Sequence, residues 1–406
     1  MRRFAPVLLY LAVLSVAVWL ADGWMFRITF ALGPILLLDQ YVFRLLPWQP
    51  PVPSALSLLP RLGLVVVLAG VIYAFFRPIY QLTETLYMSL ALCVGLSLIA
   101  SIMELAGALI QRGRKDAKPG SSVLGAVVIA LGIILVGIGI QPLLTFHPFH
   151  SAVLVTPADY NVPFEKVTVT AADGLPLAAW FIPCPDATGS AIFCHGYCAN
   201  RSQVMNVVPL LQEHKLNIIA FDFRGHGESP GRTAAFGARE YLDVMGAENY
   251  LKERVPGKPI LLFGISYGAA VAVQSLPHLK EVRAAWIESG FARLGDLAVH
   301  KFGMVPESIR GPVVGFYNGV VWLDSGFAPL DVKPIDCLKD VKVPICFCHG
   351  TKDELVFFRE GPEMYEAYQG PKESYWVQGE GHGALVIVGG EEYKQRFANF
   401  VKQYLK

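Results

Sequence analysis

Five apolar stretches open the chain, at approximately 5–21, 26–46, 62–80, 84–110 and 121–145. A helix needs about 20 apolar residues to cross the hydrocarbon core of a bilayer. The stretches Leu86–Ile110 and Ser121–Phe146 meet that demand. The second stretch is interrupted by Gly33-Pro34 and Asp39, which suits a broken or re-entrant segment. Buried helices of a soluble core are the competing reading. Several such helices in succession, with almost no polar face, would have nowhere soluble to pack. Arg2 and Arg3 ahead of an apolar run imitate a secretory signal, but Trp19, Leu20 and Asp22 make no small-residue cleavage site. The first stretch therefore reads as a retained span, and residues 1–146 as a transmembrane helical region of about five spans.

From Phe164 onward the pattern changes to short β-branched runs alternating with helical runs. Lys166–Thr170 and Leu177–Ile182 flank Asp173-Gly174, a hairpin-type turn signal. Ser190–Cys194, Asn217–Phe223, Pro259–Ile265, Val282–Glu288, Val343–Cys348 and Glu373–Gln378 read as further strands. Between and after them, Ser202–His214, Arg239–Arg254, Gly268–Leu276 and Glu391–Leu405 have helical spacing. Strand–helix alternation of this kind implies an α/β domain: a mostly parallel sheet covered on both faces, with the opening hairpin as an antiparallel edge. Phe291–Leu338 breaks the rhythm with Gly, Pro and the aromatics Phe302, Phe316, Tyr317, Trp322 and Phe327. It reads either as a small helical lid, about 291–338, or as a satellite helical pair packed on the sheet. The second domain spans residues 147–406.

Composition agrees with two solvents for two halves. Only 17% of residues are charged, against about 25% in soluble proteins. The net charge of +1 and the lack of a basic stripe give nucleic-acid binding no support. Neither close cysteine pair, Cys194/Cys198 or Cys346/Cys348, has zinc spacing. His147 and His150 look like a metal pair but lack further ligands, so no metal or other cofactor is expected. Lys and Arg set the orientation. The loop Gln111–Gly120 carries Arg112, Arg114, Lys115 and Lys118, and under a five-span model it shares a side with Arg2, Arg3, Arg44 and Arg61. The opposite loops offer Arg27 and Arg77. The expectation is an integral membrane protein of the cell membrane. Its N-terminus is cytoplasmic and its second domain lies on the periplasmic or extracellular side. The unpaired cysteines pull mildly the other way, because oxidising compartments favour disulfides.

The decisive chemistry lies in Gly264-Ile265-Ser266-Tyr267-Gly268, a G-x-S-x-G between an apolar strand and a small-residue helix. Such a turn exposes the serine hydroxyl above the sheet and puts a helix N-terminus under developing negative charge. A serine needs a base to take its proton. In the chain order that accompanies this motif, the base comes last and the acid before it. The last histidine is His382, in the glycine-rich Gly379-Glu380-Gly381-His382-Gly383 after the final strand. The preferred acid is Asp353, in His349-Gly350-Thr351-Lys352-Asp353; Glu354 and Glu288 are its rivals. An oxyanion hole needs backbone N–H donors. They are assigned to Tyr267, directly after the serine, and to Tyr197, in His195-Gly196-Tyr197-Cys198. His195 reads as a brace for that loop.

Together these segments resemble the α/β-hydrolase superfamily of serine esterases, lipases, thioesterases and peptidases, from about Phe164 to Lys406. The run Asp222-Phe223-Arg224-Gly225-His226-Gly227-Glu228-Ser229 is similar to that family's D-x-R-G-x-G-x-S turn, whose role is mainly structural. One departure is Phe357 after Val356, where many members have proline. The resemblance implies an acyl-enzyme on Ser266 and hydrolysis of an ester or thioester through a Ser266–His382–Asp353 triad. A membrane setting adds lipid-derived acyl substrates as partners, beside the bilayer itself. Two alternatives remain. One is a peptidase on the same scaffold. The other is a transport or sensing protein with a non-catalytic ligand-binding domain, for which Asp39 and Glu104 in or near spans are the best support.

Overall fold

The structure is a computed structural model that describes residues 145–405, apart from 149, 304 and 384. The five apolar stretches expected to span a membrane lie, but for the last residues of the fifth, outside the described residues. Among the described residues no helix is long and apolar enough to cross one.

Eight strands form one sheet in the order β1-β2-β4-β3-β5-β6-β7-β8. They are β1 (Glu165–Thr170), β2 (Pro176–Ile182), β3 (Gly189–Cys194), β4 (Leu216–Phe221), β5 (Ile260–Ile265), β6 (Val282–Glu288), β7 (Ile345–Gly350) and β8 (Lys372–Val377). β2 pairs antiparallel with both β1 and β4, and every other pairing is parallel. The helices in chain order are α1 (Val208–Glu213), α2 (Tyr241–Arg254), α3 (Tyr267–Ser275), α4 (Leu294–Lys301) and α5 (Glu307–Ser325). They continue with α6 (Pro334–Cys337), α7 (Glu360–Ala367), α8 (Leu385–Val388) and α9 (Gly390–Tyr404).

Strands β3, β4, β5 and β7 are buried at every position and mostly apolar, because both faces are covered. Side chains alternate between two cores, as a period of two demands. Ile192 and Cys194 of β3 face one cluster with Tyr267 and Phe223, whereas Ala191 and Phe193 face another with Phe263 and Phe397. The second core closes under α9. There Trp286 meets Tyr393, Phe397 and Phe400 with ring centroids 5.4, 5.0 and 5.5 Å apart.

One sequence expectation needs correction. The single helix expected over Ser202–His214 is a 3-10 turn, Arg201–Asn206, followed by α1. Pro209 has no N–H to give to an earlier carbonyl, so the two segments cannot join as one α-helix. The helix α7 lies where no element was expected, with Pro362 in its first turn. A proline in the first helical turn is tolerated, since the N–H it lacks would have no partner there. The stretch 291–338 holds α4, α5, α6 and the 3-10 turn Pro329–Asp331 and is therefore helical.

Candidate active site

The chain turns sharply where β5 meets α3. Ser266 has φ 56° and ψ −118°, a conformation that side chains rarely adopt and that costs on the order of 1–3 kcal/mol. Backbone bonds hold it there. The Ser266 N–H donates to Glu288 O on the neighbouring strand at 2.7 Å. Its carbonyl accepts from the N–H groups of Ala269 and Ala270 at 3.0 and 3.1 Å. Gly268 is required by a close approach: a Cβ there would stand 2.2 Å from Cys194 O. The start of α3 therefore abuts the end of β3 and the His195 carbonyl that follows it.

His382 follows β8 in a loop laced to the loop after β7. The Gly379 N–H donates to Thr351 Oγ1 at 2.9 Å, and the Lys352 N–H donates to Glu380 O at 2.8 Å. Gly350 lets the two loops touch, since a Cβ there would stand 2.3 Å from Gly381 O. The result is a continuous hydrogen-bonded chain. His382 Nε2 lies 2.8 Å from Ser266 Oγ, and His382 Nδ1 lies 2.7 Å from Asp353 Oδ2. The Asp353 side chain is fully buried, whereas that of His382 is 20% exposed.

Asp353 is well supplied with donors. Its Oδ1 accepts the N–H groups of Leu355 and Val356 at 3.0 and 2.9 Å. His349 Nε2 stands 3.2 Å from Oδ2 and also donates to Val356 O at 2.8 Å. Burial pushes the carboxyl's pKa up, but the hydrogen bonds from His349 and His382 outweigh it and hold the group well below the usual carboxylate range. The two rival acids lie elsewhere. Glu354 is exposed. Glu288 is buried and accepts from Trp286 Nε1 at 3.1 Å and from the Tyr393 hydroxyl. Burial outweighs those bonds and raises its pKa to about 7.

Tyr267 is packed edge-on between Phe223 and Phe236, at 5.4 and 5.2 Å. Tyr197 stacks on Phe236 at 5.2 Å, and its hydroxyl donates to Thr145 O. Among the described residues neither tyrosine's amide donates to a backbone carbonyl outside a helix or strand. His195 braces the Tyr197 loop: its Nδ1 meets Gly196 O at 2.8 Å and its Nε2 accepts the Phe223 N–H at 3.0 Å. Burial drives its pKa down to about 4, so the ring is neutral and Nδ1 is the donor. The Asp222–Ser229 turn is structural as expected, with Asp222 paired to Arg201 and accepting the Glu228 N–H at 2.7 Å.

Sequence reasoning missed His349. It lies four residues before Asp353, at the end of β7, a spacing that does not by itself mark the partner of a carboxylate. His147 and His150 part company: the first meets Asp324 Oδ2 at 2.6 Å, the second Gly227 O and Gly231 O, both at 3.0 Å. Among the described residues no group of three or more His, Cys, Asp or Glu is placed to hold a metal.

An imidazole between a strained serine and a buried carboxylate can deprotonate the hydroxyl and store the proton during attack on an acyl carbon. Residues 191–389 match the model of the alpha/beta hydrolase family. The esterase Pf2001 of Pyrococcus furiosus superposes with a TM-score of 0.54 at 27% identity, covering 65% of this chain and 99% of that one. The uncharacterized protein YfhR of Escherichia coli O157:H7 is 29% identical over 248 residues, 58% of this chain and 80% of its own. Human alpha/beta hydrolase domain-containing protein 17B is 26% identical over 235 residues, 56% of this chain and 72% of its own.

Proposed function

We propose that this chain, a member of the α/β-hydrolase superfamily by fold and family match, is a membrane-anchored serine hydrolase of acyl esters or thioesters. The observation that carries the reading is the bonded series Ser266 Oγ, His382 imidazole, Asp353 carboxylate, at 2.8 and 2.7 Å. The esterase name of the Pyrococcus relative supports the ester class.

In this reading Ser266 Oγ attacks the acyl carbon while its proton passes to His382 Nε2. The carbonyl oxygen takes up the negative charge and is met by the Tyr197 and Tyr267 N–H groups. His382 then gives the proton to the departing alcohol or thiol, leaving an ester on Ser266. Water enters, loses a proton to His382 and attacks that ester; the acid departs and the proton returns to Ser266. Asp353, held as a carboxylate by its donors, fixes the imidazole tautomer and stabilises its charged form. A positioned general base contributes typically about 10²–10⁴-fold.

The test is incubation of the purified full chain with p-nitrophenyl esters of short and long acyl chains, alongside fluorophosphonate labelling. Turnover and labelling are expected, both abolished in Ser266→Ala. Absence of both from the folded wild-type protein overturns the reading.

A further inference from the structure

We infer that the outer face of α5 lies in the interfacial layer of a lipid bilayer and that the site draws acyl esters from that layer; this rests on the membrane-anchored reading above. α5 buries Val314, Tyr317, Val321 and Ser325 on one side. Its other side exposes Ile309 (51%), Phe316 (48%) and Leu323 (78%), with Trp322 (56%) beside them. Ile309, Phe316 and Leu323 recur every seven residues, so they form one stripe along the helix. Between Arg310 and Asp324 the helix carries no charge. An exposed stripe of this kind calls for an apolar or interfacial partner.

The occupant follows from where the apolar chain ends. The stretch 121–145 reads as a membrane span, and His147 lies two residues beyond it. Two residues reach at most about 7 Å. His147 Nε2 contacts Asp324 Oδ2 at 2.6 Å, one position from Leu323. Phe146 is buried against Tyr317 and Phe327, with ring centroids 6.2 and 5.2 Å apart. The point where the span leaves the hydrocarbon is thus pinned to the C-terminal end of α5. Trp322 and Leu323 then stand at headgroup depth, where tryptophan is enriched in membrane proteins. The same connector reaches the site. Thr145 O accepts from the Tyr197 hydroxyl, so the loop assigned to the oxyanion hole is tied to the membrane exit. A lipid ester leaving the bilayer beside α5 would have little water to cross.

The full chain is reconstituted in phosphatidylcholine vesicles with bromine on the acyl chains, and the emission that Trp322→Phe removes is compared with that in unbrominated vesicles. Bromine quenching of that component, with the protein resisting alkaline extraction, supports the inference. Resistance to extraction without quenching overturns it while leaving the anchored hydrolase, because then the chain's own apolar half or a second copy covers the stripe. Loss to alkaline extraction overturns both. A Phe316→Ser/Leu323→Ser double variant supplies the kinetic arm. Hydrolysis of a bilayer-dissolved ester is expected to fall at least tenfold (about 1.4 kcal/mol), with turnover of a water-soluble ester unchanged. An equal fall on both esters counts against lateral entry.

Discussion

At the scale of single residues, the proposal stands on three side chains and a carboxyl that keeps its distance from them. Ser266→Ala is expected to lower kcat by roughly 10⁴-fold or more, and Asp353→Asn by about 10⁴-fold through the wrong imidazole tautomer. Both variants should retain the wild-type circular dichroism and melting temperature to within a few degrees, which separates lost chemistry from lost fold. Glu288 gives a pH-dependent prediction. Its folded pKa of about 7 exceeds the unfolded value of about 4.3. Below the unfolded value both states are protonated and nothing is lost. As pH rises from there towards 7 the unfolded chain gives up its proton first, so the folded state loses ground, and the loss levels off above 7. Glu288→Gln should therefore gain stability relative to wild type between pH 5 and 8, by on the order of 1–3 kcal/mol at the upper end. Melting curves across that range check it, and a constant gap between the two proteins would count against it. A sequence reading could reach Ser266, Asp353 and His382 because each sits in a local context: a glycine-flanked turn, a strand end, a glycine-rich loop. It could not reach His349. Nothing local distinguishes a histidine that bonds a carboxylate from one that fills a core, and only the loop lacing after β7 and β8 decides.

At the scale of elements, the strands were legible because each is a short apolar run bounded by turn residues. Val282–Glu288 is found over the expected residues, and the neighbouring strands shift by one or two positions. The order β2-β4-β3 was not legible, since adjacency of strands far apart in the chain is a tertiary choice with no local mark. Pro209 divides an expected helix, whereas Pro362 sits in the opening turn of a helix where none was expected. The junction of β5 and α3 makes the sharpest element-scale prediction. Gly268→Ala would drive a methyl group to 2.2 Å from Cys194 O. The backbone must then move, at a cost of about 1–3 kcal/mol, and the proposed pairing of the Tyr267 and Tyr197 amides in the oxyanion hole is expected to go with it. Urea denaturation and fluorophosphonate labelling should both report the damage. A variant labelled at the wild-type rate would show that the close approach is dispensable.

At the scale of the whole molecule, the proposed membrane-anchored reading, taken with the charges of the apolar stretches, predicts the side on which residues 147–406 lie. A membrane-impermeant fluorophosphonate should label Ser266 on intact cells, and Ser266→Ala should remove the signal. Labelling only after permeabilisation would reverse the orientation. Cys194, Cys346 and Cys348 are buried in the sheet's cores, where an oxidising surrounding has no access to them. Their reduced state is therefore compatible with either side. The anchoring of Ser266 to its neighbour strand carries a further implication. The hydroxyl's coordinates are inherited from the pairing of β5 with β6, through the 2.7 Å bond between Ser266 N–H and Glu288 O. Helices α4 to α6 enter the chain only after β6 has ended. Evolution, or an engineer grafting the 291–338 segment of a relative, can thus exchange that helical segment while the reacting atoms stay where strand registry put them.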